Sequence, residues 1–466
     1  MDIISSDFQS RRSAHSVPMR KSGFCIIAFI ACFAFCDALS AIEYCEPMPN
    51  VVILYSDDAG YADFGFQPNC AQDMRGLTSN IDSIAKNGVR LSNAYMSGCV
   101  CSPSRAGLMT GRYQGRFGYD NNLPPGTKSG LDLNETFGSK RLKKIGYKTG
   151  LVGKWHLGYP DQYHPNRRGF DSFYGLLQGS RSYNPIKNVS PHRVILDNSK
   201  PTAEQGYITD RFGDAAVRFI NEHKNEPFFL FVSFTAPHGP LQPNAKDADR
   251  IKHIEDRKRR NYAGLVVSLD ENIGKILEAI KSNGIEDNTL VIFTNDNGGQ
   301  TKTGANNGKL KGRKGTLWEG GVRVPWAMRW PAKIKTGTII NDPVIALDIL
   351  PTIIDAAGQN INPDWKLDGR SFLPLITTQQ QALPSRPLFW RQHGSKGNIA
   401  IREGHWKLIH NRADKESSPE LYNLASDVGE QQNIADKHPD ITKEMINKLK
   451  VWESQLKEPL WGKVAK

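Results

Sequence analysis

The 466-residue chain predicts an α/β sandwich around a large, mostly parallel mixed sheet, followed by a small α+β subdomain with a short antiparallel sheet. Three observations carry that expectation. Residues 50–55 (NVVILY), 228–235 (FFLFVSFT) and 289–294 (TLVIFT) are near-continuous apolar runs, the pattern of strands buried on both faces. Helical periodicity separates them, as alternating α/β layers require. After about residue 375 the texture changes to short strand-like pieces and a closing helix.

At the N-terminus, residues 24–36 form an apolar run too short to span a bilayer comfortably. Arg20 and Lys21 precede it, and the small residues Ala38, Ser40 and Ala41 follow. That layout predicts a signal peptide over residues 1–41, with Met19 as an alternative start. The mature chain is then exported, to a periplasm, a lysosome or the medium according to the organism, with no stable membrane insertion. Cys25, Cys32 and Cys36 go with the leader. Cys45, Cys70, Cys99 and Cys101 remain, enough for two bridges in an oxidising compartment. Asn134-Glu-Thr and Asn188-Val-Ser are acceptor sequons if the organism glycosylates exported proteins.

A catalytic region is expected over residues 48–378. Its first strand ends in Ser56-Asp57-Asp58, and a helical pattern covers residues 80–88. Residues 210–223 read as a helix, and the second apolar strand ends in Ala236-Pro237-His238. Residues 262–280 carry Leu265, Val266, Leu269, Ile273, Ile276, Leu277 and Ile280 at helical spacing. The basic run at residues 257–260 reads as the solvated start of that helix. The third strand ends in Asn295-Asp296-Asn297-Gly298. Ligands of open α/β sheets bind beyond the carboxyl ends of the strands, so Asp57, Asp58, His238, Asp296 and Asn297 are expected at one site. Beyond a Gln-rich linker at residues 379–381, the region 379–466 holds strand-like segments at 388–391, 399–402 and 406–410 and a helix over 439–455.

With 39% apolar and 23% charged residues the composition excludes wholesale disorder, collagen and a polytopic membrane protein. Lys and Arg number 60 against 48 Asp and Glu, a formal charge of +12 that favours acidic partners or simply gives a basic surface. No helix-turn-helix, zinc-finger or RNP pattern accompanies the charge, so no nucleic-acid partner is expected.

Residues 101–112 read CSPSRAGLMTGR. Taken alone, this is a thiol near Arg105 in a turn that enters a helix. The cation would favour a thiolate, and a buried or disulfide-bonded cysteine is the plainer alternative. The segment resembles the signature of type I sulfatases, C-x-P-S-R followed by T-G-R. The resemblance extends to Asp57-Asp58 with Gly60-Tyr61, to Gly153-Lys154-Trp155-His156-Leu157-Gly158, to Pro237-His238, to Asp296-Asn297-Gly298-Gly299 and to the segment from Gly312 through Lys314 to Gly321. Trp406-Lys407-Leu408 and Glu420-Leu421-Tyr422-Asn423-Leu424 look like C-terminal segments of the same family. The layout is most similar to sulfatases of the arylsulfatase A and N-acetylgalactosamine-6-sulfatase type, which act on carbohydrates.

That resemblance implies an alkaline-phosphatase-like α/β/α sandwich and sulfate ester hydrolysis. It implies that Cys101 is oxidised to formylglycine by a formylglycine-generating or sulfatase-maturing enzyme. Asp57, Asp58, Cys101, Asp296 and Asn297 would hold one Ca²⁺, an ion that favours oxygen ligands; Mg²⁺ is not excluded. Arg105 would hold the nucleophile, and His156 would take the proton that drives sulfate release. Lys154 and Lys314 would bind the sulfate oxygens. His238, with Lys314, would protonate the leaving alcohol of a sulfated mono-, oligo- or polysaccharide. Two alternatives stay open: a phosphonate monoester hydrolase or phosphodiesterase of the same fold, and a silent polyanion-binding relative. Substrate choice would rest on rim loops at residues 160–191 and 383–410, with Arg181, Tyr183, Trp365, Trp390 and His393 in segments that could border a sugar pocket.

Overall fold

The computed structural model describes residues 47–377, 383–414 and 416–462. The leader, Cys45 and the Gln-rich linker lie outside these. The strands are β1 (Asn50–Ser56), β2 (Val89–Leu91), β3 (Ala94–Tyr95), β4 (Lys148–Lys154), β5 (Ser172–Leu176), β6 (Leu196–Asp197), β7 (Lys200–Pro201), β8 (Phe228–Ser233), β9 (Thr289–Asn295), β10 (Ala327–Arg329), β11 (Thr338–Ile340), β12 (Val344–Ile345) and β13 to β16 (Leu388–Arg391, Ile399–Glu403, Trp406–His410, Glu420–Asn423). The helices are α1 (Ser79–Lys86), α2 (Cys101–Thr110), α3 (Gly138–Lys144), α4 (Ile208–His223), α5 (Ala248–Ile251), α6 (Arg257–Ser282), α7 (Glu319–Val322), α8 (Ile349–Ala356), α9 (Leu373–Thr377) and α10 (Pro439–Glu453).

The large sheet has ten strands in the order β11-β2-β10-β9-β1-β8-β4-β5-β6-β7. The run from β9 to β5 is all parallel, β10 and β6 flank it antiparallel, and β7 turns back antiparallel to β6. The apolar runs are continuous because alternate residues enter different cores. Val52, Leu54, Leu230, Val232, Val291 and Phe293 pack with α1, α4 and α6. Val51, Ile53, Phe229, Phe231, Leu290 and Ile292 pack on the other face with α2, α3 and α8. Each such side chain contributes about 1.5–3 kcal/mol when buried. Thus β1, β8 and β9 are held along their whole length, and their carboxyl ends form a rigid platform.

Strands β13–β16 form an antiparallel meander with α10 against it. This sheet is welded to the catalytic layer. Trp390 packs on Tyr95 at 5.5 Å between centroids, and its Nε1 donates to Met96 O at 2.7 Å. Beneath them lies a fully buried charge cluster, Lys407 with Glu319 (2.9 Å) and Glu430 (3.0 Å).

Several expectations need correction. The basic run does not lie on a solvated face throughout: Arg259 is drawn inward to Asp63 (2.8 Å) and Asp73 (2.7 Å), and Arg260 donates to Ile254 O. Helix α1 ends at Lys86, and β8 ends at Ser233, two residues short of its apolar run. The cysteines Cys70, Cys99 and Cys101 are free rather than bridged. Among the described residues no helix is long and apolar enough to cross a membrane.

Candidate active site

Four strand ends and one helix start converge. Asp57 and Asp58 follow β1, Asp296 and Asn297 follow β9, His238 lies in the loop after β8, and Lys154 closes β4 with His156 beyond it. Cys101 opens α2 and Arg105 stands one turn further on. Lys314 comes from the loop before α7. Asp58 and His156 both hold left-handed backbone, φ +66° and +62°, the kind of strain that a functional position stores.

The donor atoms of Asp57, Asp58, Cys101 and His238 all lie within 4.8 Å of one another. Lys154 is fully buried, and its Nζ donates to Asp57 Oδ2 at 2.6 Å. Lys314 Nζ donates to Asp58 Oδ2 at 2.7 Å and reaches Cys101 Sγ at 3.3 Å. Arg105 gives Nη2 to Asp296 Oδ2 at 3.0 Å and Nη1 to Ser233 Oγ at 2.5 Å. Asp296 Oδ1 accepts from Asp58 N, and Asn297 Nδ2 donates to Asp58 Oδ1 at 2.9 Å. Asp57, Asp58, Cys101, Arg105, Lys154, His238, Asp296, Asn297 and Lys314 therefore form one contact network, with His156 two residues beyond Lys154.

Burial, then the neighbouring Asp296, push the Cys101 thiol up to about 12. The buried-cysteine alternative therefore holds over the thiolate, and burial rather than any one charge is the main cause. Burial and Asp296 likewise push Asp57 up to about 6, against the pull of Lys154. Burial works against ionised Asp296 too, but Arg105, Lys154 and Lys314 outweigh it and hold that carboxyl far below its ordinary value. Burial, followed by Lys154 and Arg105, holds the His156 imidazole well below 6.5, so it is neutral at neutral pH. Its Nδ1 is buried without a hydrogen-bond partner. A Cβ on Gly179 would stand 2.4 Å from that ring, so only glycine fits there.

The donors fit a hard dication. Asp57, Asp58, Asp296 and Asn297 offer oxygens, and Asn297 Oδ1 is buried with no hydrogen-bond partner, a lone acceptor that a cation would satisfy. His238 joins the cluster as the strand-end rule expects. Its Nε2 lies 3.6 Å from Asp58 Oδ2, and its Nδ1 faces Gly239 O at 2.7 Å, which requires the hydrogen on Nδ1.

Sequence reasoning missed several supports. Ser233 bridges Arg105 to Lys154 O (2.8 Å), and Tyr55 lies under the Arg105 guanidinium at 5.2 Å. Ser233 ends β8 and Tyr55 is the penultimate residue of β1, where the carboxyl-end rule could have flagged them. Tyr183 is no sugar contact: it is buried, and its hydroxyl donates to Thr235 O and His238 O. Arg181 is spent on Glu204, Trp390 is core, and Trp365 stacks on Arg141.

The family model described as Sulfatase matches residues 49–359, which contain this whole constellation. The chain belongs to the sulfatase family. A second model, N-sulphoglucosamine sulphohydrolase, C-terminal, matches residues 313–456. This sulfatase is 30% identical over 457 residues to arylsulfatase J of Mus musculus, covering 86% of this chain and 75% of that one. It is 31% identical to the uncharacterized sulfatase YdeN of Escherichia coli, over 82% and 76% of the two chains. Among solved structures, Ps i-CgsB in complex with k-i-k-neocarrahexaose superposes with a TM-score of 0.84 at 36% identity, covering 89% and 94% of the chains. The sulfatase fold, with its parallel core and C-terminal antiparallel sheet, and its sulfuric ester hydrolase class follow from these matches.

Proposed function

We propose that this sulfatase cleaves sulfate from a sulfated carbohydrate, with Cys101 matured to formylglycine beside one bound Ca²⁺. The observation that carries the reading is the placement of Cys101: first residue of a helix, buried at the strand ends, and in contact with both Lys314 and Asp57. Hydrated formylglycine supplies two hydroxyls on one carbon, one to attack sulfur and one to expel sulfate. Calcium, held by Asp57, Asp58, Asp296 and Asn297, supplies positive charge against the sulfate oxygens.

The chain's own residues do the rest. Lys154 and Lys314 turn from carboxylate to sulfate oxygens and counter the charge that develops in the transition state. Arg105, locked between Asp296 and Ser233, holds the start of α2 against the sheet. Neutral His156 accepts the proton whose departure drives sulfate release. His238, with hydrogen fixed on Nδ1, exchanges its proton through Nε2 with the leaving oxygen. The k-i-k-neocarrahexaose held by the 36%-identical Ps i-CgsB supports a sulfated galactan as the first substrate to try.

Peptide mass spectrometry across Cys101, on protein from a host able to mature it, tests the reading. The expected peptide is about 18 Da lighter than the thiol form, and its fraction tracks sulfate released from sulfated galactan oligosaccharides. An unmodified Cys101 in an active preparation sinks the nucleophile. Faster turnover of an aryl phosphonate than of any sulfate sinks the substrate class.

A further inference from the structure

We propose that Trp461, on the C-terminal tail, is a positioning residue for sulfate transfer that sets both the start of the nucleophile helix and the His156 segment. The proposal rests on the assignment of Cys101 and His156 made above. After α10 the tail runs back over the catalytic layer, where Lys457 N donates to Gly115 O and Leu460 N to Gly118 O, each at 2.9 Å. Trp461 Nε1 then donates to two consecutive carbonyls, Asn121 O (3.1 Å) and Asn122 O (3.0 Å). Asn121 Nδ2 returns a bond to Trp461 O at 2.9 Å, and the indole meets Tyr119 edge-on at 4.5 Å.

The loop so gripped touches the reaction centre at two points. Asn122 Oδ1 accepts from Ser102 N at 3.0 Å, and Leu123 N donates to Ser102 Oγ at 3.1 Å. Helix α2 has no side-chain cap of its own, since Val100 stands at its N-cap position. Asn122 therefore supplies from a distant loop an acceptor for a helix-start amide, on the residue next to Cys101. At the other end Tyr119 hydroxyl approaches His156 O at 3.5 Å. The loop's second residue, Asp120, is fixed by Arg391 of β13 at 2.7 Å. The five-residue bridge Tyr119 to Leu123 is thus one route by which the C-terminal part of the chain reaches the reacting atoms, and Trp461 is a clasp on it.

A packing role and a positioning role predict different outcomes. W461F keeps a ring against Tyr119 and loses the donor to both carbonyls; W461A loses both. The control is V451A on the exposed side of α10. Full-length matured proteins are compared for kcat and KM on an aryl sulfate, for Cys101 conversion by mass spectrometry, and for unfolding midpoint. The positioning role gives a kcat loss of about tenfold in W461F and about a hundredfold in W461A. KM stays within about twofold and conversion is unchanged. Hydrogen exchange rises in the peptide that begins α2. A W461F enzyme with unaltered kcat and exchange overturns the proposal, whatever W461A does to stability. C101A separates the two claims: if it still turns over, the Cys101 assignment fails, whereas an inactive C101A beside a normal W461F defeats the clasp alone.

Discussion

Replacing Lys407 by Met should cost far more stability than its place on a peripheral strand suggests, and more at high pH than at low. Lys407 is fully buried and is shared by Glu319 Oε1 (2.9 Å) and Glu430 Oε1 (3.0 Å), which are equally buried. Breaking a buried pair from one side strands an uncompensated charge, at about 3–5 kcal/mol. The structure assigns that charge. Glu319 keeps Arg323 at 3.1 Å and the Tyr95 hydroxyl at 2.7 Å, so it stays ionised. Glu430 keeps no other carboxylate-to-cation pair among the described residues, and burial already pushes it up to about 7 even with Lys407 present. A carboxyl raised above its unfolded value of 4.5 binds its proton more tightly in the folded state. Stability therefore falls as pH rises from about 4.5 through the folded value, and in K407M that window extends upward. Urea unfolding at pH 5 and pH 8 should show a small deficit at the first and about 3–5 kcal/mol at the second. K407M/E430Q should recover most of the loss at pH 8. A deficit equal at both pH values, or no rescue by E430Q, refutes the assignment of the stranded charge to Glu430.

Three further outcomes follow from the site. H238A should slow sugar sulfates by about 10²–10⁴ and aryl sulfates with good leaving groups far less, as parallel kcat measurements would reveal. G179A should lower kcat by at least about tenfold with the protein still folded, because its methyl would displace the His156 ring; unchanged turnover would show that the ring is not confined. Dialysis against a chelator should lower the unfolding midpoint, and calcium should restore it through Asp57, Asp58, Asp296 and Asn297. D296N, which removes a carboxylate from that set, should blunt the response.

Much of the architecture is legible in the order of residues. Continuous apolar strands with polar ends, separated by amphipathic helices, can bury both faces only as a covered parallel sheet, and chain order then brings Asp57, His238 and Asp296 to one edge. The sulfatase signature marked Cys101 and Arg105 for the same reason: chemistry that demands particular side chains at fixed local spacing leaves a local trace. What left no trace is whatever depends on pairing across the fold. Whether the Cys101 thiol was a thiolate near Arg105 or a buried cysteine was open in the sequence, and burial decided it. Tyr183 and Trp390 have the composition of a sugar platform and are buried struts. Arg259 sits in a run of surface charge and is drawn in by Asp63 and Asp73. The grip of Trp461 on the bridge beside Ser102 spans 339 positions and follows no periodicity. Sequence by itself determined the element types, the polar edge of the sheet and the residues that gather there, because these rest on local pattern. Tertiary structure alone decided each group's charge and freedom, because burial and the identity of the nearest partner set both.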